Sequence, residues 1–526
     1  MAQLNWLTLL KENGPDAHSK RPSDKFVESN DFRNSFKKDF DQIVSWSSFR
    51  RLQDKAQVFP LEEGDFSRTR LTHSTEVMST AESLGEHLVN VIIEYEYKNL
   101  KQKRTSYHKS PFLYPYQWID EDLYNSIQNI PMILRSAALL HDLGNPPFGH
   151  VSEGTISKWF EDNGKRYVVV EKDGGFELKK ASEQPPTKDI LFLENAVTTP
   201  YYKDFKNFDG NAETLRIIRK LQNLSPSTFK QHIKISYPTI ASIIKYPDDY
   251  IKVNGLKHGP NYFRSEKDFY KSIQNKLGTN GYRHPLAFLL EAADDISYYA
   301  SDLEDAMQKN LIDIEDLLQL IMFKDPEKNT LIKKFLTTDE IIEIKKLYNK
   351  DDLKNVVASI KEFINVESKN VAIKKSCSRI RGYFISRVKK EISNNYTKMM
   401  NCTYYGNLLE NSDAEFLQRL LKILFTKFIY YSDDIVKKKA LGIRSINTLL
   451  DNLIPSIINS YNKKPTDDYS FVVSKMVSKN FYDLCMKRIE GSKSTPKILY
   501  ELIFLAIDYI SGMTDTYAEN IAKNLK

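Results

Sequence analysis

A histidine and an aspartate stand side by side at the end of a largely apolar stretch, and this pair is the strongest chemical signal in the sequence. Residues 132–140 predict a buried helix that ends in His141 and Asp142. Gly144 and two prolines then stop the helix, because glycine tolerates a left-handed cap and proline cannot continue the hydrogen-bond ladder. Ionisable groups are rare in such a place unless they are paired or bound to a metal. An imidazole beside a carboxylate suits a divalent cation, so we interpret the pair as half of a metal site.

Two further apolar segments carry residues that could complete such a site. His73 opens a long segment whose apolar residues recur at helical spacing. Asp294 and Asp295 lie within the apolar segment 285–299. Alone, His73 would more often be a packed core histidine than a ligand. Helices in a bundle can direct such side chains at one cation, and two imidazoles with two carboxylates leave positions open for water and substrate oxygens. The spacing leaves open which of the two aspartates takes part.

The composition is that of an ordinary soluble protein of 526 residues, with 41% hydrophobic and 28% charged residues. These fractions exclude a membrane-embedded or a disordered chain. The formal charge of +7 suits an anionic ligand such as a nucleotide, although most lysines are expected on the solvated surface. The three cysteines are isolated, which argues against a disulfide framework or a zinc cluster. Since neither a signal-peptide pattern nor an apolar run of membrane-spanning length is present, we expect a cytoplasmic protein with no membrane contact.

Helical periodicity dominates the chain, so we predict an all-α fold. Residues 1–45 are polar and broken by glycine and proline, which indicates an N-terminal arm. Residues 46–310 carry the chemical residues and form the predicted core, and residues 311–526 form a long helical C-terminal region. A valine-rich run followed by an Asp-Gly-Gly turn predicts a small β-hairpin insertion at about 165–180. The segment 95–118, rich in lysine and tyrosine, is interpreted as a solvated loop or an insertion.

Several sequence blocks occur together in an order that is typical of one family. The blocks are Arg51-Leu52-Gln53, Val58-Phe59-Pro60, Arg68 to Ser74, His141 to His150, Phe208 to Ala212, Asp294 to Tyr298 and Asp302 to Asp305, with a weaker echo at Lys438 to Arg444. In these blocks the chain resembles the HD-domain deoxynucleoside-triphosphate triphosphohydrolases, the bacterial dGTPase family. The resemblance covers about residues 45–310. It implies an HD-domain helical core, with the C-terminal region closing the pocket and contributing to subunit contacts.

The resemblance implies a divalent metal ion, Mg²⁺ or Mn²⁺ first, with Fe, Co or Zn also compatible. The implied ligands are His73, His141, Asp142 and Asp294. The resemblance favours Asp294 over Asp295. Helix geometry is consistent with that choice, because Asp294 shares a face with Tyr298 and Asp302, whereas Asp295 is turned about 100° away.

A second His-acid pair follows the first motif. His150 and Glu153 are three residues apart and share a face if the chain is helical there. The resemblance implies that this pair assists attack on the α-phosphorus, with Glu153 raising the basicity of His150. The alternative is a pair that only orders the start of a helix.

The resemblance also implies a set of substrate-binding residues. They are Gln53, Arg70, Lys245, Tyr246, Tyr298, Asp302 and Arg444. Tyr298 would press on the sugar where a 2′-hydroxyl would lie, and Asp302 and Gln53 would hydrogen-bond near the 3′-hydroxyl. The others are candidates for the triphosphate, because oxyanions need partners with several donors. For each residue an ordinary core or surface role is the alternative, and of the triphosphate candidates only Arg70 lies firmly inside a motif.

The implied reaction is metal-dependent hydrolysis of a dNTP, either dGTP alone or several dNTPs, to the deoxynucleoside and inorganic triphosphate. The implied partners are further copies of the chain, as a tetramer or hexamer, and a single-stranded DNA or nucleotide effector. Two alternatives stay open. One is another HD-type nucleotide phosphohydrolase. The other is a sensor that binds nucleotide or nucleic acid in the same pocket, with the basic segment 98–109 as its contact surface.

Overall fold

The computed structural model describes most of the chain, and helices dominate it. The described residues are 3–11, 33–58, 68–103, 119–172, 174–222, 235–247, 261–364, 368–462 and 468–525. Apart from one small sheet, the regular elements within these ranges are helical, which confirms the predicted all-α class with a small β insertion.

The helices of the N-terminal part of the described chain include those that carry the predicted site residues His73 and Asp294 and the one that ends just before His141. They are α1 (Trp6–Leu9), α2 (Ser35–Ser45), α3 (Ser47–Arg51), α4 (Arg70–Lys103), α5 (Glu121–Ile127), α6 (Ile130–Leu140), α7 (His150–Asn163), α8 (Leu193–Ala196), α9 (Thr199–Lys206), α10 (Gly210–Arg216), α11 (Tyr237–Ser242), α12 (Lys267–Leu277) and α13 (Pro285–Gln308). Shorter turns of 3₁₀ or π-helix occupy Leu52–Asp54, Ile217–Leu221 and Arg264–Glu266.

The C-terminal part of the described chain is entirely helical in its regular elements. These are α14 (Ile314–Met322), α15 (Thr330–Phe335), α16 (Thr338–Lys345), α17 (Lys350–Ile364), α18 (Lys369–Met400), α19 (Glu415–Leu424), a π-helical turn (Phe425–Ile429), α20 (Asp433–Ser460), α21 (Tyr469–Ser474), α22 (Lys479–Ile489), α23 (Thr495–Ser511) and α24 (Asp515–Asn524).

The predicted hairpin is present, and it belongs to a three-stranded antiparallel sheet. Strand β1 (Tyr167–Lys172) pairs with β2 (Gly175–Lys180) in a register that sets Tyr167 opposite Lys180. Strand β3 (Leu191–Phe192) pairs with the other edge of β1, so the order is β2-β1-β3. Strand β3 was not predicted, because a two-residue strand carries no periodicity of its own. The backbone N–H of Leu178 donates to Asn459 Oδ1 at 2.6 Å, which ties the sheet to α20.

Three long helices, α4, α6 and α13, pack against one another and build the frame of the site. The predicted apolar face of α4 is buried, with Val77, Ala81 and Leu84 fully covered. Such a face holds the helix in place, because helical stability in a protein comes mainly from burying an apolar stripe.

The prediction of a loop or insertion at 95–118 is wrong for its first part. Helix α4 continues to Lys103, and residues 104–118 lie outside the described residues. Tyr95 packs edge-on against Tyr396 of α18, with ring centroids 4.9 Å apart. Lys98 pairs with Glu94 one turn earlier at 2.7 Å. Tertiary packing and i,i+4 pairing therefore extend a helix that is polar by composition.

The buried apolar residues form two clusters that are interleaved along the chain. The larger cluster runs from Leu4 to Ile435 and includes the faces of α4, α6 and α13. The smaller cluster joins α7 and the sheet to α20 and α23. Within the range predicted as an arm, the backbone N–H of Leu4 donates to the Met400 carbonyl at 2.8 Å. The domain boundaries at 45 and 310 stay a prediction.

A buried charge network fixes the C-terminal region to the core. Arg216 at the end of α10 is fully buried, and its Nε and Nη2 donate to the two carboxylate oxygens of Asp508 at 2.6 and 2.9 Å. Bidentate pairing of this kind has a defined geometry, so α23 is held in one orientation against α10. Within the described ranges, we find no helix with both the length and the apolar character needed to span a membrane.

Candidate metal centre and active-site cavity

His141 and Asp142 lie where the sequence places them, directly after the last residue of α6. The Nδ1–H of His141 donates to the Ala138 carbonyl at 2.6 Å, which fixes the ring and directs Nε2 into the site. That Nε2 is buried and has no hydrogen-bond partner in the described structure. A histidine held by Nδ1 with a free Nε2 is the usual arrangement of a metal ligand.

Gly144 allows the turn after Asp142 to lie close to α10. A Cβ at this position would overlap the Gly210 carbonyl and the backbone of Thr214. The Gly144 N–H donates to Thr214 Oγ1 at 2.9 Å. Glycine is therefore needed for close approach of two backbones, and this approach places the His-Asp pair.

His73 of α4 lies beside His141. The ring centroids of His73 and His141 are 5.6 Å apart. One potential ligand atom from each of His73, His141 and Asp142 falls within 4.8 Å of the other two. All three residues are buried. The three residues come from two helix ends that are separate in sequence, so the cluster is a product of the fold.

Asp294 of α13 adds a carboxylate to this cluster. Its Oδ1 lies 3.0 Å from His73 Nε2 and 3.5 Å from His141 Nε2. Its Oδ2 accepts a hydrogen bond from Lys245 Nζ at 3.1 Å. Asp295 points elsewhere, because its Oδ2 accepts from Asn407 Nδ2 at 2.6 Å. Of the two aspartates, Asp294 is the one beside the imidazoles.

Neighbouring donors keep both carboxylates ionised. Asp142 accepts from Arg70 Nη1 at 2.8 Å and from Asn145 Nδ2. Burial raises the pKa of Asp142, but His141 and Arg70 outweigh it and hold that pKa at about 2. Burial likewise raises the pKa of Asp294, and Lys245 and His141 reverse the effect and hold it well below its usual range.

The carboxylates of Asp142 and Asp294 in turn change the pKa of the His141 imidazole between them. Burial lowers the pKa of His141, but Asp142 and Asp294 overcome it and raise that pKa to about 9. A cation that binds at Nε2 has to displace this proton, so its affinity rises with pH. Two imidazoles, one of which has a buried Nε2 without a hydrogen-bond partner among the described residues, and two carboxylates form a donor set that fits a divalent ion of the Mg²⁺, Mn²⁺, Fe, Co or Zn type.

His141, Asp142 and Asp294 line a cavity of about 450 Å³, a size typical of small-molecule sites, whereas His73 lies behind them and is not among its described lining residues. The described residues that line it are Ala56, Gln57, Val58, Arg70, His141, Asp142, Asn145, Phe148, Gly149, His150, Val151, Asn211, Lys245, Asp294, Asp295, Tyr298, Tyr430 and Lys439.

The second His-acid pair faces the same cavity. His150 is the first residue of α7, its side chain is 87% exposed, and its Nδ1–H donates to Glu153 Oε2 at 2.7 Å. Glu153 Oε1 accepts from the Gly210 N–H at 2.9 Å, which holds the carboxylate still. The hydrogen bond that His150 donates to Glu153 raises the pKa of His150 above its ordinary value. The pair therefore presents a basic imidazole to the cavity.

The loop before α7 is strained and braced from the far end of the chain. Phe148 and Gly149 have φ values of +62° and +64°, and a Cβ at Gly149 would lie 2.7 Å from Arg70 Nη2. The Phe148 N–H donates to Asp515 Oδ1 at 2.9 Å, and the Ala56 N–H donates to Asp515 Oδ2 at 3.1 Å. Asp515, at the start of α24, thus holds two loops of the cavity wall at once.

The predicted substrate residues divide into two groups. Arg70, Lys245 and Tyr298 line the cavity. Four others are not among its described lining residues: Gln53, Tyr246, Asp302 and Arg444. Gln53 and Arg444 are exposed. The Tyr246 N–H donates to Asn261 Oδ1, and Asp302 is buried with neither carboxylate oxygen hydrogen-bonded to a described residue. The roles given to these four residues stay predictions.

Several lining residues were missed by the sequence analysis. Asn145 lies inside a quoted block, Gln57 lies directly before another, and Lys439 lies inside the weaker echo, so the signal for these three was close at hand. Asp515 carried no local signal, because its two partners are far away in the sequence.

The helical core and the His-Asp cluster beside an open cavity define an all-α protein with a candidate metal centre. The chain is 33% identical over 505 residues to the deoxyguanosinetriphosphate triphosphohydrolase-like proteins of Listeria monocytogenes and Listeria innocua, over 94% of each chain. It is 27% identical over 517 residues to the deoxyguanosinetriphosphate triphosphohydrolase of Yersinia pestis, over 92% of each chain. No protein-family model matches it. The chain belongs to the deoxyguanosinetriphosphate triphosphohydrolase family, as the resemblance implied, and it is a hydrolase.

Proposed function

We propose that this hydrolase cleaves dNTPs, dGTP among them, into the deoxynucleoside and inorganic triphosphate, with the help of a divalent cation. One observation carries the proposal: the basic imidazole of His150 and the cluster of His141, Asp142 and Asp294 open into one cavity. The names of the relatives support dGTP as a substrate.

The proposed ligands of the cation are His73, His141, Asp142 and Asp294. In such a site a divalent cation supplies polarisation of the phosphoryl oxygen and a lower pKa for a water molecule. Arg70 and Asn145 orient Asp142, and Lys245 orients Asp294, by the hydrogen bonds described above. Partners of this kind tune a metal site nearly as much as its ligands do.

His150 is proposed to move the proton. Its Nδ1 is committed to Glu153, so its Nε2 is the atom free to act on the attacking water or on the leaving 5′-oxygen. Glu153 keeps the imidazole basic and fixes its orientation, and the Gly210 N–H fixes Glu153 in turn.

Cationic side chains are proposed to bind the triphosphate. Arg70 and Lys439 both line the cavity, and stabilising charge on a polyphosphate requires such donors. Tyr298 is proposed to pack against the sugar, where it would exclude a 2′-hydroxyl. Sugar contacts of Gln53 and Asp302 and phosphate contacts of Tyr246 and Arg444 are supported by the family resemblance alone.

The oligomeric state and the effector are likewise proposed from the family resemblance. We propose a homo-oligomer, tetramer or hexamer, that responds to a nucleotide or to single-stranded DNA. A cytoplasmic location agrees with the free cysteines Cys377, Cys402 and Cys485.

The reaction is tested by separating the products of each dNTP, and of GTP, after incubation with Mg²⁺ or Mn²⁺. We expect deoxynucleoside and intact triphosphate from the wild type, no product from GTP, and none after Asp142→Ala. A matched control is Asp162→Ala, which removes an exposed acid of α7.

Other products lead to other conclusions. Monophosphate or diphosphate would assign the chain to another class of nucleotide phosphohydrolase. Tight binding of dNTP without turnover, even with single-stranded DNA added, would favour the sensor function. Equal turnover after Asp142→Ala and Asp162→Ala would remove the proposed metal centre from the reaction.

A further inference from the structure

A second cavity, of about 490 Å³, lies next to the catalytic one and has no role in the function proposed above. Its described lining residues are Ser47, Ser48, Arg51, Lys55, Leu143, Ile217, Leu221, Gln222, Ser478, Asn480, Phe481, Asp508, Tyr509, Gly512, Met513, Thr514 and Tyr517. Its volume falls in the range of pockets that hold small organic molecules.

Two cations, Arg51 and Lys55, line this wall, and neither forms an ion pair with a described residue. The Arg51 side chain is half-buried, its Nε is buried without a hydrogen-bond partner among the described residues, and its guanidinium lies against Gly512. A guanidinium taken out of water without a carboxylate is unfavourable unless an anion accepts its hydrogen bonds.

The other charges of the wall do not neutralise Arg51. Asp508, the only carboxylate among the described lining residues, already accepts two hydrogen bonds from Arg216. Lys55 is buried, and its Nζ donates to the carbonyls of Asn145 and Ser511, both at 2.6 Å. The cavity therefore has an excess of positive charge, which favours an anion.

The rest of the wall suits the organic part of such an anion. The rim carries the hydroxyls of Ser47, Thr514 and Tyr517, and the apolar side is built by Leu143, Ile217, Leu221, Phe481 and Met513. A cavity that combines aromatic and aliphatic side chains with a guanidinium suits a phosphate group attached to a flat or apolar body.

We propose that this second cavity binds a phosphate-bearing small molecule, with Arg51 as the residue that recognises the phosphate. The site touches the catalytic one through Lys55, because the Asn145 carbonyl that Lys55 holds belongs to a residue that lines the catalytic cavity. Asn145 in turn donates to Asp142, so an anion on Arg51 would lie only a few contacts from a proposed metal ligand.

The test is calorimetric titration of the full chain with two probes, inorganic phosphate and dGMP, without divalent cation. Three variants are compared with the wild type: Arg51→Met, Ser47→Glu and Arg50→Met. Arg50→Met is the matched control, since Arg50 is exposed, donates to the Ser45 carbonyl and does not line the cavity. Ser47→Glu puts a negative charge on an exposed rim position, where it leaves the core packing intact.

We expect Arg51→Met to weaken one binding component at least tenfold, Ser47→Glu to weaken the same component, and Arg50→Met to leave it unchanged. Binding in the catalytic cavity would not follow this pattern. Equal affinity of phosphate and dGMP would identify the bare anion as ligand, and tighter dGMP binding would identify an organic phosphate. Identical titrations for all four proteins would overturn the proposal, whether or not the chain hydrolyses dGTP.

Discussion

Lys245 Nζ lies 3.1 Å from Asp294 Oδ2, while Oδ1 of the same carboxylate lies 3.0 Å from His73 Nε2. The ammonium group therefore neutralises and orients a proposed metal ligand. The family resemblance implies a triphosphate contact for Lys245, and the observed contact with Asp294 adds a second role that kinetics can separate from the first.

Lys245→Met is expected to raise the concentration of Mn²⁺ needed for half-maximal activity by roughly 10–100-fold, the range seen when partners of metal ligands are removed. Lys439→Met is the matched control, because Lys439 lines the same cavity and its Nζ donates to the Tyr430 carbonyl. That variant should raise KM for dGTP and leave the metal requirement unchanged. A Lys245→Met protein with a changed KM and an unchanged metal requirement would contradict the positioning role.

The His150–Glu153 pair predicts a shift in the pH dependence of the reaction. The Glu153 hydrogen bond raises the pKa of His150, so Glu153→Gln should lower that pKa. The limb of the kcat/KM profile that belongs to His150 should then move to lower pH. Glu161→Gln, a change of an exposed acid on the same helix, should leave the profile in place. His150→Ala should reduce kcat by about 10²–10⁴, the usual contribution of a general acid or base.

Asp515 predicts an effect on catalysis from a residue outside the cavity. Asp515→Asn keeps the side-chain volume but replaces one carboxylate oxygen by an amide NH₂ group. That donor then faces the N–H of Phe148 or of Ala56, which needs an acceptor. The strained loop should relax, and kcat/KM should fall by about tenfold with little change in the thermal unfolding midpoint. Asp339→Asn, in the first turn of another C-terminal helix, is the control for loss of a first-turn acid. Unchanged kinetics in Asp515→Asn would mean that Phe148 is held by packing alone.

Asp302 predicts a pH-dependent stability. Burial, and then the neighbouring Asp305, raise the pKa of Asp302 well above its usual range. The folded chain therefore retains a proton that the unfolded chain has lost above about pH 4, so this residue lowers stability as pH rises. Asp302→Asn should increase the free energy of unfolding more at pH 8 than at pH 5, by up to about 1.4 kcal/mol for each pH unit over which only the folded chain keeps the proton.

Urea unfolding of both proteins at the two pH values measures this difference. The same shift at pH 5 and pH 8 would show that Asp302 has already lost its proton in the folded chain at pH 5, so that its pKa is not raised. A loss of dGTP turnover in a variant of unchanged stability would instead support the sugar contact that the family resemblance implies.

Much of the helical frame could be predicted because helix formation leaves a local trace. Val77, Ala81 and Leu84 recur at helical spacing, and all three are buried in α4. Composition was a weaker guide to secondary structure. Tyr95 and Lys98 belong to the same helix, although the residue types around them predicted a loop. Strand β3 was not predicted for a different reason: two residues are too few to show a period.

The sequence by itself determined which side chains can do chemistry. His73, His141, Asp142 and Asp294 stand at the edges of apolar helices, and motif and periodicity are properties of neighbouring residues. Only the tertiary structure decided that Asp294 rather than Asp295 faces the imidazoles by direct contact, and that Asp515 braces the loop at Phe148. These contacts join residues that are far apart in the chain, and a pairing of that kind depends on how whole helices pack rather than on any local pattern.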